Sequence, residues 1–231
     1  MSPPPSASVD LLLSSGFLAF GRQCGFLMAV EELGLEVDGV FGTSSGALAG
    51  ALWAAGLPAK DALAELSREA PIRRVGLHGR PWRGLFSMAP VIAHLRGVLP
   101  ATFDALPRPF GVGVRGPDGA HRWVRDGDLP AAVAASCAMP GVFCPVDLEP
   151  GPCQDGGAVD RLGLAGHRAI RGERPAIVHL VDRTAGQDGD APLDGMPVVR
   201  SPRSGAQLWN LGDPWGQAEE TRTLALAALR P

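Results

Sequence analysis

Short apolar runs alternate along this chain with segments whose apolar positions recur every three or four residues. Residues 9–13 (Val-Asp-Leu-Leu-Leu) form the first run, of a length suited to a buried strand, and Ser14-Ser15-Gly16 closes it with loop chemistry. In residues 23–33, Phe26, Leu27, Val30 and Leu33 share one helical face while Glu31 and Glu32 point away, and Gly34 supplies the stop. Residues 37–41 predict a second strand, and the small apolar residues of 47–55 predict a buried helix ended by Gly56. Strand, loop, helix, strand, turn, helix is the start of an α/β fold around a parallel sheet.

The same reading predicts helices over 58–70, 87–99 (with Pro90 in the first turn), 129–138 and 217–229. Residues 109–114 and 121–124 flank Pro117-Asp118-Gly119 and read as a hairpin. Met139-Pro140-Gly141 breaks the helix before it, and residues 142–146 and 175–181 read as strands, the latter apolar enough for the sheet centre. The basic, Trp-containing stretch 71–86 is either a lid or a solvated connection. With no repeat and no dividing linker, the prediction is a flexible polar arm over residues 1–8 and a single domain over 9–231.

Composition narrows the chemistry. The 31 glycines and 22 prolines are spread among periodic segments, so they read as sharp turns in a globular fold rather than as low complexity. Tyrosine is absent and Lys60 is the only lysine, which removes a tyrosine acid or base and leaves little room for a Schiff-base lysine. A net charge of −3 without a long basic block disfavours nucleic acid as a partner. Cys24, Cys137, Cys144 and Cys153 lack metal-site spacing and read as thiols in a reducing compartment, so no metal or cofactor is expected. The first ten residues lack the basic region of a secretory signal, and no run reaches the length of a membrane span. The expectation is a cytoplasmic protein; its oligomeric state is not readable.

Gly42-Thr43-Ser44-Ser45-Gly46 falls between a predicted strand and a predicted small-residue helix. In that context a G-x-S-x-G pattern places the serine on a strained turn, hydroxyl outward, with glycines letting strand and helix pass closely. A Ser/Thr-rich helix cap would also account for the pattern. Ser45 is the weaker nucleophile because Thr43 denies it the leading glycine. The base has two candidates. His167, with Asp155 or Asp160 as acid, would complete a Ser-His-Asp triad. Alternatively Asp155, in Gln154-Asp155-Gly156-Gly157, presents a carboxylate at a tight turn.

Several separate blocks occur in order: Leu13-Ser14-Ser15-Gly16, residues 25–32, residues 42–48, Ala135-Ser136-Cys137-Ala138-Met139-Pro140-Gly141-Val142-Phe143, and Asp155-Gly156-Gly157-Ala158-Val159-Asp160. This succession resembles the patatin-like phospholipase family over most of residues 9–182. The resemblance implies a three-layer α/β fold with a mainly parallel sheet flanked by helices. It also implies a metal-independent serine acyl hydrolase, acting on a lipid or other acyl ester with Ser44 as nucleophile and Asp155 as general base. The family's oxyanion loop carries three glycines and then an arginine. Here residues 15–21 keep only Gly16, the arginine position is Ala19, and Arg22 is the nearest stand-in. The backbone amides of Ser15, Gly16 and Phe17 are the expected oxyanion donors. Phe17, Leu18 and Phe20 are candidates for an acyl pocket. Trp82, Leu85, Phe86 and Met88, with arginines 73, 74, 80 and 83, are candidates for peripheral membrane contact. The thinned glycine loop leaves a catalytically silent lipid- or partner-binding domain as the competing reading.

Overall fold

Val9–Leu13 (β1) and Val37–Thr43 (β2) lie side by side in parallel, with Leu13 opposite Gly42. The computed structural model that places them describes residues 8–70, 76–77, 84–149, 151–182, 193 and 195–230. The proposed arm lies almost wholly outside the described residues, as do Trp82 and arginines 73, 74, 80 and 83.

Phe20–Glu32 (α1) connects the two strands, and Ser45–Ala54 (α2) follows β2 after one residue. Ala59–Leu66 (α3), a two-stranded ribbon of Gly76–Leu77 (β3) and Phe86–Ser87 (β4), and Ala89–Leu95 (α4) come next. The hairpin Phe110–Arg115 (β5) and His121–Val124 (β6) forms as expected. Leu129–Ser136 (α5), Val146–Leu148 (β7), Gly151–Asp155 (β8), Leu164–Arg171 (α6), Ala176–Val181 (β9), Val198–Ser201 (β10) and Pro214–Leu229 (α7) complete the chain. Eight strands make one sheet, in which β10, β9, β1, β2 and β5 run parallel, β6 and β8 pair antiparallel with β5, and β7 pairs antiparallel with β8.

Both faces of the sheet are covered. Leu11, Leu13, Val40 and Ile177 face one core with α1, α2, α5 and α7, while Leu12, Phe41, Val178 and Leu180 face a second core with Leu164 of α6. Burial on both sides explains why the central strands are nearly continuous apolar runs. The strand expected over 142–146 is displaced to β7. Val142 and Phe143 both donate N–H bonds to the Met139 carbonyl, at 3.2 and 2.9 Å, so the chain is still turning there.

At the N-terminal end of β1, Asp10 is fully buried. It accepts two bonds from Arg171, at 2.8 and 2.9 Å, and lies 2.9 Å from His167 Nε2. Burial alone would raise its pKa, but the bonds from His167 and Arg171 outweigh that and hold it below the usual carboxylate value. Removing the carboxylate would leave the Arg171 charge without its main partner. Asp10→Ala is expected to cost about 3–5 kcal/mol at pH 7, lowering Tm by about 10 °C. Because the folded pKa is the lower one, this contribution is lost as pH falls through it, and thermal melts should show the gap to wild type closing below about pH 4.

Candidate active site

The edges of β5 set the geometry. β6 pairs without a break with residues 112–115. β2 pairs with residues 110–113 and β8 with Val114 and Arg115, so β2 and β8 must share the other edge of β5, end to end. One runs parallel to β5 and the other antiparallel, so their C-terminal ends meet. Thr43 lies opposite Gly113 and Asp155 opposite the next residue, Val114. Ser44 leaves β2 at that junction.

Ser44 has φ 55° and ψ −117°, a conformation L side chains rarely adopt. A Cβ on Gly42 would overlap the Gly46 carbonyl, and one on Gly46 would overlap the Leu13 carbonyl, which explains both glycines of the elbow. Ser44 caps α2 without a side-chain bond, leaving its hydroxyl uncommitted to the helix. The Ser44 N–H donates to Ser136 Oγ at 2.7 Å, and Ser136 Oγ–H donates to the Gly113 carbonyl at 2.6 Å. Cys137 Sγ lies 3.5 Å from the Ser44 carbonyl, and the Asp155 N–H donates to the Ala138 carbonyl at 3.0 Å. Three consecutive residues after the middle of α5 thus fasten both sides of the junction.

Asp155 is 6% exposed. Burial pushes its carboxyl up to about 6, against the lowering influence of the nearby Ser44 hydroxyl and of the Gly157 N–H, which donates to Asp155 Oδ1 at 2.8 Å. A Cβ on Gly156 would lie 2.8 Å from the Gly113 carbonyl oxygen, and one on Gly157 would meet the Ser15 side chain, so the two glycines let the turn press against β5 and the first loop. The pair is a hydroxyl facing a carboxylate that is partly protonated near pH 6. Burial and the Asp155 charge together raise the neighbouring Cys137 thiol well above its ordinary value, which keeps it neutral.

The first loop departs from expectation in two ways. The Ser15 N–H donates to the Arg161 carbonyl at 3.1 Å, which withdraws it from the proposed donor set. Among the described residues no acceptor pairs with the N–H of Gly16 or Phe17, and both residues line the cavity beside Ser44. Arg22 does not stand in for the missing loop arginine. It is buried between α1 and α7, bound to Glu220 and, at 3.3 Å, to the Gln217 carbonyl. The buried arginine at the cavity is Arg161, whose guanidinium donates to the Val181 carbonyl and to the Ser15 carbonyl.

The triad alternative fails on position. His167 is bound to Asp10, and Asp10 pairs with Gly39. Five residues, roughly 15 Å along an extended strand, separate Gly39 from Ser44. Asp160 Oδ1 accepts from the Leu162 and Gly163 N–H groups, at 3.0 and 2.8 Å, and closes a turn. His179 is a core residue. It is stacked on Phe26, 2.7 Å from Gln23 Oε1 and 3.0 Å from Ser201 Oγ, and burial pushes it down to about 3. Ser45 is buried, with no partner for its hydroxyl among the described residues.

Ser44 and Asp155 open onto a cavity of about 760 Å³. Phe17, Leu18 and Phe20 line it as expected, and Leu48, Val91 and Phe143 extend its apolar wall. Among the described residues no helix is long and apolar enough to cross a membrane, and no group of three or more His, Cys, Asp or Glu residues is placed to hold a metal ion.

The model of the patatin-like phospholipase family matches residues 11–165, an interval that begins in β1 and ends in α6. The chain belongs to that family. The patatin-like chain is also 29% identical, over 189 residues, to uncharacterized NTE family proteins of Mycobacterium bovis and Mycobacterium tuberculosis. The alignment covers 80% of this chain and 52% of each relative, so the patatin-like chain spans about half the length of those curated relatives. In structure it resembles VipD from Legionella pneumophila, with a TM-score of 0.59 and 13% identity over 96% of this chain and 67% of that one. It resembles the type III effector protein ExoU with a TM-score of 0.51 and 18% identity over 99% and 53%. At those identities the likeness speaks for the three-layer α/β fold.

Ser136 and Arg161 are the site residues that sequence reasoning missed. Ser136 belongs to the family-like run at 135–143, yet nothing in an alanine-rich helix indicates that this serine turns toward the elbow. Ser136→Ala would strip the Ser44 N–H and the Gly113 carbonyl of their shared partner. We expect kcat on a soluble ester to fall about tenfold to hundredfold with KM little changed, because the elbow is displaced and the cavity is not. Asp155→Asn should stabilise the fold by about 3 kcal/mol at pH 7, since a carboxyl at about 6 in the folded chain and about 4 in the unfolded one ionises more readily on unfolding. In denaturant titrations that gain should shrink as pH falls from about 6 to about 4, below which the carboxyl is protonated in both states.

Proposed function

We propose that this chain is a serine acyl hydrolase that cleaves the carboxylic ester of a lipid through a Ser44–Asp155 dyad. The observation that carries the reading is the convergence of Ser44, on a strained elbow, and a buried Asp155 on one apolar cavity. Family membership and the fold support lipid hydrolysis as the coarser statement.

In this mechanism the ionised Asp155 takes the hydroxyl proton as Ser44 Oγ attacks the ester carbonyl. The oxyanion is held by the N–H groups of Gly16 and Phe17, helped by the positive end of α2. Collapse breaks the ester C–O bond, and Asp155 returns its proton to the departing alcohol. The acyl-Ser44 intermediate is then attacked by water, which gives one proton to Asp155. The carboxylic acid leaves, and that proton goes back to Ser44 Oγ. The net reaction is ester plus water to acid plus alcohol, and every proton transfer uses a group the chain supplies. The apolar walls near Phe17 and Leu48 suit an acyl chain and exclude water from its length.

Folded Ser44→Ala and Asp155→Asn variants should each lose at least about a thousandfold in turnover of a soluble short-chain ester. Wild-type turnover in either folded variant would contradict the dyad. Turnover lost in both proteins but also absent from wild type, on esters of every chain length, would favour the silent binding domain.

A further inference from the structure

Among the described residues the large apolar side chains exposed to solvent are Leu85, Val159, Trp209, Trp215 and Leu224. Single exposed apolar residues are ordinary on a protein surface. Three of these, however, neighbour the cavity lining along the chain or through a backbone hydrogen bond. Val159 follows Ala158 and Trp209 follows Leu208, and both preceding residues line the cavity. Leu85 donates its N–H to the Val142 carbonyl at 2.9 Å, next to Phe143 of the cavity wall.

Trp209, 70% exposed, is held on a built support. The Gln207 N–H donates to the Asn210 carbonyl at 2.7 Å and the Asn210 N–H returns a bond to the Gln207 carbonyl at 3.1 Å. That closes a tight hairpin with Leu208 and Trp209 at its tip, the first lining the cavity and the second in solvent. Ser204 Oγ–H donates to the Phe17 carbonyl at 2.6 Å, which ties the same segment to the loop carrying the proposed oxyanion donors.

We propose that Leu85, Val159 and Trp209 form an apolar rim that enters the surface of aggregated lipid and brings acyl chains to the cavity mouth. The proposal rests on the acyl hydrolase reading. A lipid surface is the occupant that can cover the rim and fill the apolar cavity continuous with it, whereas a protein seated on the rim would close the mouth. An indole at a turn tip suits the boundary between headgroups and acyl chains, where its ring is buried and its N–H stays wet. The net charge of −3 gives no long-range attraction to an anionic membrane. In this proposal binding comes from insertion rather than from charge, so it occurs on zwitterionic lipid and is insensitive to salt.

Flotation of the full chain with phosphatidylcholine vesicles tests this, using Ser44→Ala so that binding is read without turnover. Ser44→Ala should float equally at low and high salt, and adding Trp209→Ser should lower its partitioning about tenfold. With Ser44 intact, Trp209→Ser should lower turnover of a vesicular ester by a similar factor and leave a monomeric short-chain ester unchanged. Failure of Ser44→Ala to float, flotation abolished by high salt, or equal flotation with and without Trp209 would overturn the proposal. Absence of hydrolysis by wild type with Trp209-dependent flotation intact would contradict the hydrolase reading and leave the docking surface standing.

Discussion

Asp155 is buried against the Ser44 hydroxyl because two strands running in opposite directions end on the same edge of β5. That end-to-end meeting fixes which residues can become neighbours. A parallel sheet alone would carry Ser44 to its C-terminal edge and leave it facing solvent. The antiparallel return of β8 brings a carboxylate back to the same point, one register step beyond Gly113. The surrounding structure then makes the meeting tight. Glycines at 42, 46 and 156 remove side chains that would collide with backbone, and residues 136–138 bond to both partners.

The arrangement stores unfavourable terms that the rest of the fold must offset. Ser44 is held at positive φ, and Asp155 is removed from water far enough to raise its pKa to about 6. Both departures suit the chemistry proposed for the pair. A strained elbow keeps the hydroxyl clear of the helix it begins, and a desolvated carboxylate is a stronger proton acceptor than an exposed one. The contrast with Asp10 is instructive, since that carboxylate is also buried but is held below its usual value by His167 and Arg171. One buried aspartate is an anchor with its counter-charge in place; the other faces only weak donors, the setting that the proposed base requires.

The parts of this site set by local chemistry were legible in the sequence. β1, β2 and β9 are apolar runs buried on both faces, and the strand–elbow–helix order needs only neighbouring residues to be recognised. The Asp-Gly-Gly turn and the family blocks carried the rest. β8 was not legible: Gly151-Pro152-Cys153-Gln154 has no apolar alternation and becomes a strand only through its partners β5 and β7. α6 was overlooked because Gly163 and Gly166 interrupt its periodicity. Long-range partners were also hidden. Arg22 was the nearest arginine in sequence, but the packing of α1 on α7 directs it to Glu220, while Arg161 reaches the cavity from the far side of the chain. His167 looked available as a base until the register of β1 placed Asp10, its partner, well away from the elbow.

The cavity and its rim extend the same logic from proton transfer to substrate access, with apolar walls leading from Ser44 to side chains exposed near Trp209 and Leu85. The dyad remains the claim on which all of this stands. Its most direct measurement is the rate of fluorophosphonate labelling as a function of pH, with the modified residue identified by peptide mass. The account predicts a single adduct on Ser44, formed at a rate that rises with pH through about 6 and falls to a slow, pH-independent level in Asp155→Asn. An adduct elsewhere, no adduct on the folded protein, or an unchanged rate without the Asp155 carboxylate would contradict it.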